Sequence, residues 1–381
     1  MSDRSPSTSP STRSLGDRVD VSVLVPVLNE ERHIRETVAA MQAQRFEGTI
    51  ELIYADGRSE DRTREILIEL AERDPRIRVL DNPRRRTASA LNVCLREARG
   101  EFVARMDAHT YYGNRYLAAG VERLRRGGTD WVSGPAIPRP TGLVSRATAL
   151  ALASWLGRGG SRKWDKEAQS GTERQLDTGV FGGVWRRATV IDVGGWDERW
   201  PINQDSEMAA RFLARGARLV CLPEMVGHYM PRNSLHSLAY QYFRYGFYRA
   251  RTFRRHPLSM RRSHLIAPAA SACILASIGG PRKPRLAARA SLGAYVLAVV
   301  ATGVSSLART QEPAESAMLV LVLPAMHLGW GFGTLVGVAR FGVPLAALAH
   351  TLGFSDEAAE APEQAAVYAP SLYDRPPTAC V

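Results

Sequence analysis

The chain has 381 residues, with 50 Lys and Arg against 38 Asp and Glu and a formal net charge of +12. That length accommodates one large catalytic domain and something smaller, and the basic balance favours phosphate-bearing partners: nucleic acid, sugar nucleotides or anionic lipid. The four cysteines, Cys94, Cys221, Cys273 and Cys380, are scattered without a CxxC pair, which argues against a disulfide scaffold or a zinc site and for a reducing setting.

Residues 1–18 are rich in Ser, Pro and Thr and carry no apolar signal-peptide core, so the expectation there is a disordered tail. Short apolar runs then alternate with amphipathic stretches. Strands are expected at 21–28, 49–54, 77–80 and 102–106, with helices at 29–44, 59–72 and 87–98 between them. This alternation predicts an α/β, Rossmann-like, mostly parallel sheet. Beyond Trp131 the pattern loosens. A Gly- and charge-rich segment at 157–178 reads as a long loop, 181–185 as a strand, 205–214 as a helix and 217–222 as a strand.

From 263 to 353 the composition turns apolar. Residues 286–308 and 317–339 are each long enough to cross a bilayer core. Residues 265–280 are shorter, contain Pro268, and read as an interfacial helix. Arginines flank the segment on both sides and return at Arg340, while the connection 309–316 carries two Glu. By charge placement this is a two-span hairpin with both ends cytoplasmic. The expected domains are therefore 19–255 (catalytic) and 256–353 (membrane-associated), with a flexible tail at 354–381.

Chemistry concentrates at a few acids. Asp56 closes the second strand in YADGRSEDRT, where a carboxylate can accept from a uracil N–H or ribose hydroxyls, or simply open a turn. Asp107 and His109 form Asp-Ala-His at the end of another strand; a carboxylate with a second ligand two residues on can hold a divalent ion against a diphosphate. His109 is softer than a second Asp: it either tilts the choice between Mn²⁺ and Mg²⁺ towards Mn²⁺ or binds no metal at all. Acids at the carboxyl ends of neighbouring strands face one cleft. Arg84, Arg85 and Arg86 precede a helix and suit phosphate oxygens. Asp205 opens a helix after a Gly/Trp-rich loop. It could serve as a base towards a hydroxyl, but its spacing alone favours an N-cap. Gln241, Arg244 and Tyr245 could hold an acceptor's sugar or diphosphate at the bilayer surface, and His228 could complete a metal shell. His327 sits within an apolar span, where a polar side chain hints at a function or a helix contact. No GxGxxG follows the first strand, against a nicotinamide dehydrogenase, and no nucleic-acid reader motif appears.

Five segments in order, VSVLVPVLNEE, YADGRSEDRT, ALNVCLREARGEFVARMDAH, GGWDERWPINQDSEMAARF and QYFRYG, resemble family 2 glycosyltransferases, most closely the membrane-associated succinoglycan-biosynthesis type. The resemblance implies a GT-A fold and inverting transfer of a sugar from a nucleotide donor, with UDP-glucose the leading candidate. It implies nucleotide-sugar contacts at Pro26, Asn29, Glu30, Asp56, Arg86 and Asp107. Asp107, His109 and His228 would be metal ligands, Asp205 the catalytic base, and Trp196, Gln241, Arg244 and Tyr245 the acceptor side. Three departures stand out: His109 replaces the last acid of the metal motif, Gln204 precedes the base where Glu is common, and Tyr245 replaces a usual Trp. The implied partners are a lipid-linked saccharide and the plasma membrane, with the catalytic domain cytoplasmic and no nucleic acid. A polyprenyl-phosphate glycosyl transferase and a non-catalytic sugar-nucleotide scaffold are the alternatives.

Overall fold

The computed structural model describes residues 18–158, 171–179, 182–279 and 281–354. The expected tails and most of the expected loop at 157–178 lie outside the described residues. Strands and helices alternate as β1 (Val21–Val27), α1 (Ile34–Gln42), β2 (Ile50–Asp56), α2 (Thr63–Arg73), β3 (Ile77–Asp81), α3 (Thr87–Glu97) and β4 (Phe102–Arg105). Next come β5 (Thr110–Tyr112), α4 (Tyr116–Arg125), β6 (Trp131–Ser133), β7 (Ala136–Pro138), α5 (Leu143–Ala153) and α6 (Trp155–Arg158). Then follow β8 (Arg174–Leu176), β9 (Gly183–Arg186), α7 (Arg187–Val193), α8 (Gln204–Ala214), β10 (Leu219–Cys221) and β11 (Gly227–Tyr229). The remainder is helical: α9 (Leu235–Arg255), α10 (Ile266–Ile278), α11 (Arg282–Thr310), α12 (Pro313–Phe341) and α13 (Leu345–Leu352).

The main sheet has eight strands in the order β3-β2-β1-β4-β9-β6-β10-β8, and β5, β11 and β7 form a second, three-stranded sheet. The β3-β2-β1-β4 half is parallel. β9 runs antiparallel to both neighbours, so the sheet is mixed. The sequence of β1 explains its central place. Val21, Val23, Val25 and Val27 point to one face and pack with α1, α2 and α4. Leu24 points to the other and packs with α3, α7 and α8. A strand covered on both faces needs this near-continuous apolar run. Its one hydroxyl, Ser22, is satisfied by donating to Glu51 (2.6 Å) and accepting from the Gly100 amide (2.8 Å).

Two expectations need correction. The helix expected from Asn29 starts only at Ile34, because Asn29 has φ 55° and begins a clamped loop instead. Within the expected loop, residues 174–176 form an edge strand antiparallel to β10.

The apolar stretches fold as α11 and α12, each 29 residues and apolar enough to cross a membrane by length and composition. α12 is the inner of the two. Its glycines let α9 approach to backbone contact. A Cβ added at Gly333 would lie 2.0 Å from the Phe243 carbonyl oxygen, and one at Gly337 2.4 Å from that of Phe247. Gly246 of α9 reciprocates, 2.0 Å from the Trp330 carbonyl oxygen. Close backbone approach through small residues is how helices associate where no hydrophobic driving force separates them from lipid. α11 by contrast exposes Leu297 and Val304, at 71% and 62%.

The Gly333→Ala variant is expected to lower the unfolding midpoint in detergent by several degrees. Overpacking costs about 1–3 kcal/mol, and the clashing group is backbone that cannot rotate away. Gly293→Ala, where a Cβ meets nothing within 4 Å, should leave it unchanged or slightly higher.

Candidate active site

The carboxyl edge of the parallel half carries the first part of the site. The loop after β1 is stitched to the loop after β2. The Asn29 amide donates to Ser59 Oγ (2.9 Å), the Glu30 amide to Thr63 Oγ1 (2.7 Å), and the Glu60 amide to Asn29 Oδ1 (2.8 Å). Pro26 lies two residues before this loop, paired with Ala55 across the strands. Asp56 is fully buried. Its carboxylate accepts from Ser59 Oγ (2.6 Å) and Arg64 Nη1 (3.4 Å), and Arg64 also reaches Asp81. Asp56 ends β2, which is two strands from β4, so it stands on the same edge as Asp107 but about 10 Å along it. It is therefore a separate anchor beside the acidic centre.

That centre is built on Arg105, a residue the sequence reading passed over. Arg105 is 4% exposed. It donates through Nε and Nη2 to the two oxygens of Asp107 (2.8 and 3.2 Å) and through Nη1 to Asp205 Oδ1 (2.5 Å). A guanidinium fork is the one side chain that can bind a carboxylate side-on and keep a donor for a second acid. Burial opposes its charge, but Asp107 and Asp205 more than offset this and raise its pKa above the ordinary value. Burial likewise works against the Asp107 charge, yet the Arg105 pair holds its pKa below normal. Asp205 goes the other way. Burial raises it, Arg105 pulls it back, the neighbouring Asp107 charge pushes up again, and the net direction is up. Two acids sharing one arginine are thus driven apart in proton affinity, the pattern of a site with distinct roles for each. The sequence signal was available: an Arg inside the buried run FVARMDA must find carboxylates.

Asp205 lies in the first turn of α8. The N-cap is Asn203, at φ 63°, so the capping reading of Asp205 does not hold. Asn203 instead donates to the Tyr245 carbonyl of α9 (2.9 Å). Trp196 is 1% exposed, and its indole N–H faces Asp205 without closing a hydrogen bond. Gln241 donates to the Tyr245 hydroxyl (3.1 Å), whose titration feels Asp205. Gln241, Tyr245, Trp196 and Asp205 therefore share one neighbourhood. Arg244 leans on Tyr240 instead, 5.8 Å from the ring centroid.

A second buried charge holds α8 in place. Glu207 is fully buried; it accepts from Arg211 (2.8–3.1 Å) and lies 3.1 Å from His256 Nε2 at the end of α9. Arg211 goes on to donate to the Val193 and Gly195 carbonyls (2.6 and 2.7 Å), fixing the loop before Trp196. Here too the sequence reading saw only Asp205 and missed its neighbour two residues on.

For a metal, Asp107 and His109 fit a two-residue platform of the kind completed by phosphate oxygens and water. His109 Nδ1 is 2.9 Å from Glu30 Oε1, and this bond raises the imidazole pKa. That bond leaves Nε2 as the ring nitrogen that would take an ion, the usual outer-shell arrangement for a ligating His. Among the described residues no group of three His, Cys, Asp or Glu forms a metal shell. The expected third ligand, His228, lies on β11 opposite Tyr111, in the separate small sheet. Burial and the Arg139 charge lower its pKa, and a neighbouring cation opposes a second one. Arg86 stands at the N-cap of α3 and donates to the Glu198 carbonyl (3.4 Å), while Arg84 pairs with the Glu198 carboxylate. His327 is a helix contact: it bonds Tyr295 (2.9 Å) and the Leu156 carbonyl (3.1 Å).

The model of the family described as "Glycosyl transferase family 2" matches residues 22–191. The succinoglycan biosynthesis protein ExoA of Rhizobium meliloti (strain 1021) is 30% identical over 317 residues, covering 82% of this chain and 92% of that protein. The chain belongs to glycosyl transferase family 2. A Methanococcus voltae relative, a dolichyl N-acetyl-α-D-glucosaminyl phosphate 3-β-D-2,3-diacetamido-2,3-dideoxy-β-D-glucuronosyltransferase, is 24% identical over 233 residues, 59% of this chain and 71% of its own length. Among solved structures, a mannosyltransferase from Pyrobaculum calidifontis in complex with GDP-Man and Mn²⁺ superposes with TM-score 0.51 at 21% identity. It covers 82% of this chain and 88% of that one. The fold is GT-A, and the protein is a glycosyltransferase.

Replacing Arg105 should be severe. Arg105→Met leaves the buried Asp107 and the partly buried Asp205 without their shared partner, a loss of about 3–5 kcal/mol. The expected outcome is a clearly lower unfolding midpoint together with loss of sugar transfer. A variant with unchanged midpoint and activity would remove Arg105 from the centre of the site.

Proposed function

We propose that this glycosyltransferase moves a sugar, glucose from UDP-glucose in the leading reading, onto a lipid-linked saccharide at the inner face of the plasma membrane. The product would be an exopolysaccharide or cell-envelope glycan. The observation that carries the reading is Asp205: a partly buried acid of raised proton affinity, in the first turn of a helix, beside Trp196 and Tyr245. A base of this kind takes a proton from an acceptor hydroxyl as that oxygen attacks the anomeric carbon from the face opposite the diphosphate. One base without a protein nucleophile suits a single inverting displacement. Arg105 keeps Asp205 oriented and keeps the Asp107 charge on the donor side.

The donor would lie along the edge that Asp56, Asn29, Glu30 and Pro26 build, its nucleoside towards Asp56 and its diphosphate towards Asp107, His109 and Arg86. A divalent ion held by Asp107 and His109 would neutralise charge on the departing diphosphate. The Mn²⁺ and GDP-Man of the mannosyltransferase support a metal-bound nucleotide sugar. The relatives whose names concern succinoglycan and a dolichyl phosphate-linked sugar support a lipid-linked acceptor in polysaccharide assembly. The apolar α11 and α12 support membrane attachment through a hairpin, with 19–255 as the cytoplasmic catalytic part and 256–353 as the membrane part.

Two measurements test this. In a donor screen with purified membranes, Asp205→Asn should reduce kcat by about 10²–10⁴-fold while the donor KM stays near the wild-type value; unimpaired transfer would remove the base assignment. After chelation, His109→Ala should need a higher Mn²⁺ concentration to recover activity, whereas His228→Ala should titrate like the wild type.

A further inference from the structure

A cavity of about 460 Å³ lies between the loop that leads to Asp205, helix α9 and the end of α12. Arg199, Arg251 and Arg340 line it together with Arg86, the residue it shares with the proposed donor diphosphate side, and among the described residues no acid does. Phe247, Tyr248 and Phe341 supply the apolar part of the wall. The arginines are held in place from behind. Arg199 forks onto Asp197 (2.5 Å at the closest), and Arg251 donates to the Arg199 carbonyl (2.8 Å) while lying 4.3 Å from the Trp200 ring centroid. Burial, then the Arg199 charge, lowers the pKa of Arg251. Asp197 offsets the charge of Arg199; the other guanidinium groups around the space still repel each other, and an anion relieves that repulsion. Planar forks of this kind match phosphate oxygens.

The position says what carries the phosphate. Arg340 and Phe341 are the last residues of α12, a 29-residue helix apolar enough to cross a membrane, so the cavity opens where the apolar helix ends, at the level of a bilayer surface. Arg340 itself is exposed. Its distance from the chemistry is also bounded. Pro201 lines the cavity and precedes Asp205 by four residues, a span of at most about 14 Å. Along α9, Arg251 follows Tyr245 by six residues, a rise of about 9 Å.

We propose that this cavity holds the phosphate or diphosphate of a polyisoprenoid-linked acceptor, so that its saccharide runs back along α9 to Tyr245 and Asp205. This rests on the lipid-linked acceptor reading above and assigns the carrier's phosphates to residues other than Gln241, Arg244 and Tyr245.

The test uses the full chain in phosphatidylcholine nanodiscs, with binding of farnesyl diphosphate and of UDP measured separately. Arg251→Gln with Arg340→Gln should weaken farnesyl diphosphate at least tenfold and leave UDP unchanged, with inorganic pyrophosphate competing in the wild type. Arg340→Gln alone, at an exposed helix end that tolerates substitution, should give a smaller loss in the same direction, and Arg251→Lys should recover part of it. Equal farnesyl diphosphate binding by wild type and double variant overturns the proposal. So does loss of UDP binding in the double variant, which would make the cavity part of the donor site. Displacement of farnesyl diphosphate by phosphatidylglycerol nanodiscs at equal phosphate concentration also overturns it, in favour of a bulk headgroup surface. A wild-type protein that binds farnesyl diphosphate but no nucleotide sugar sinks the proposed function and leaves the cavity assignment standing.

Discussion

One buried guanidinium sets the geometry of the site. Arg105 sits at the end of β4 and reaches across to the first turn of α8, joining Asp107 and Asp205. The ends of these two elements carry the acids, and nothing apolar could bring two carboxylates together inside a protein. Burying either acid alone would neutralise it; with the arginine between them one stays charged and the other gains proton affinity. The fork also fixes orientation, since three of its nitrogens are committed to three carboxylate oxygens. The separation in proton affinity between Asp107 and Asp205 follows from that one side chain.

The rest of the fold brings the partners of Arg105 into reach. The mostly apolar β1 places β4 next to it, and the antiparallel β9 turns the sheet towards the second half of the chain. Glu207, Arg211 and His256 lock α8 against the loop before Trp196 and the end of α9. α9 in turn lies on α12 through glycines at backbone contact. Asp205 is therefore mechanically continuous with the apolar helices. A shift of α12 along α9 would be felt at Tyr245, whose carbonyl is tied to Asn203, two residues before Asp205.

Much of this was legible in the residues. The β1–β4 alternation, the apolar helices and the helix at Asp205 follow from periodicity, because side chains buried on a strand or helix repeat with its geometry. The strand-end acids Asp56 and Asp107 followed from their motifs. What was missed shares a cause. Arg105, Glu207 and the α9–α12 glycines act through residues far away in sequence, at separations of 100 for Arg105 to Asp205 and 49 for His256 to Glu207. The helix-compatible neighbours of Asn29 predict a helix there, and only its bonds to the β2 loop reveal the left-handed turn. The place of His228 after a strand-like run leaves open a ligand or a structural role, and strand pairing puts it in the small sheet beside Arg139.

The sequence alone determined the local code: which stretches are strands, which helices are apolar, and which acids end them, since each of these depends on neighbours within a few positions. Only the tertiary structure decided which charges meet. A carboxylate's proton affinity, a histidine's company and the lining of a cavity depend on Coulomb and desolvation terms that act across space, and the chain sets those distances only when it closes.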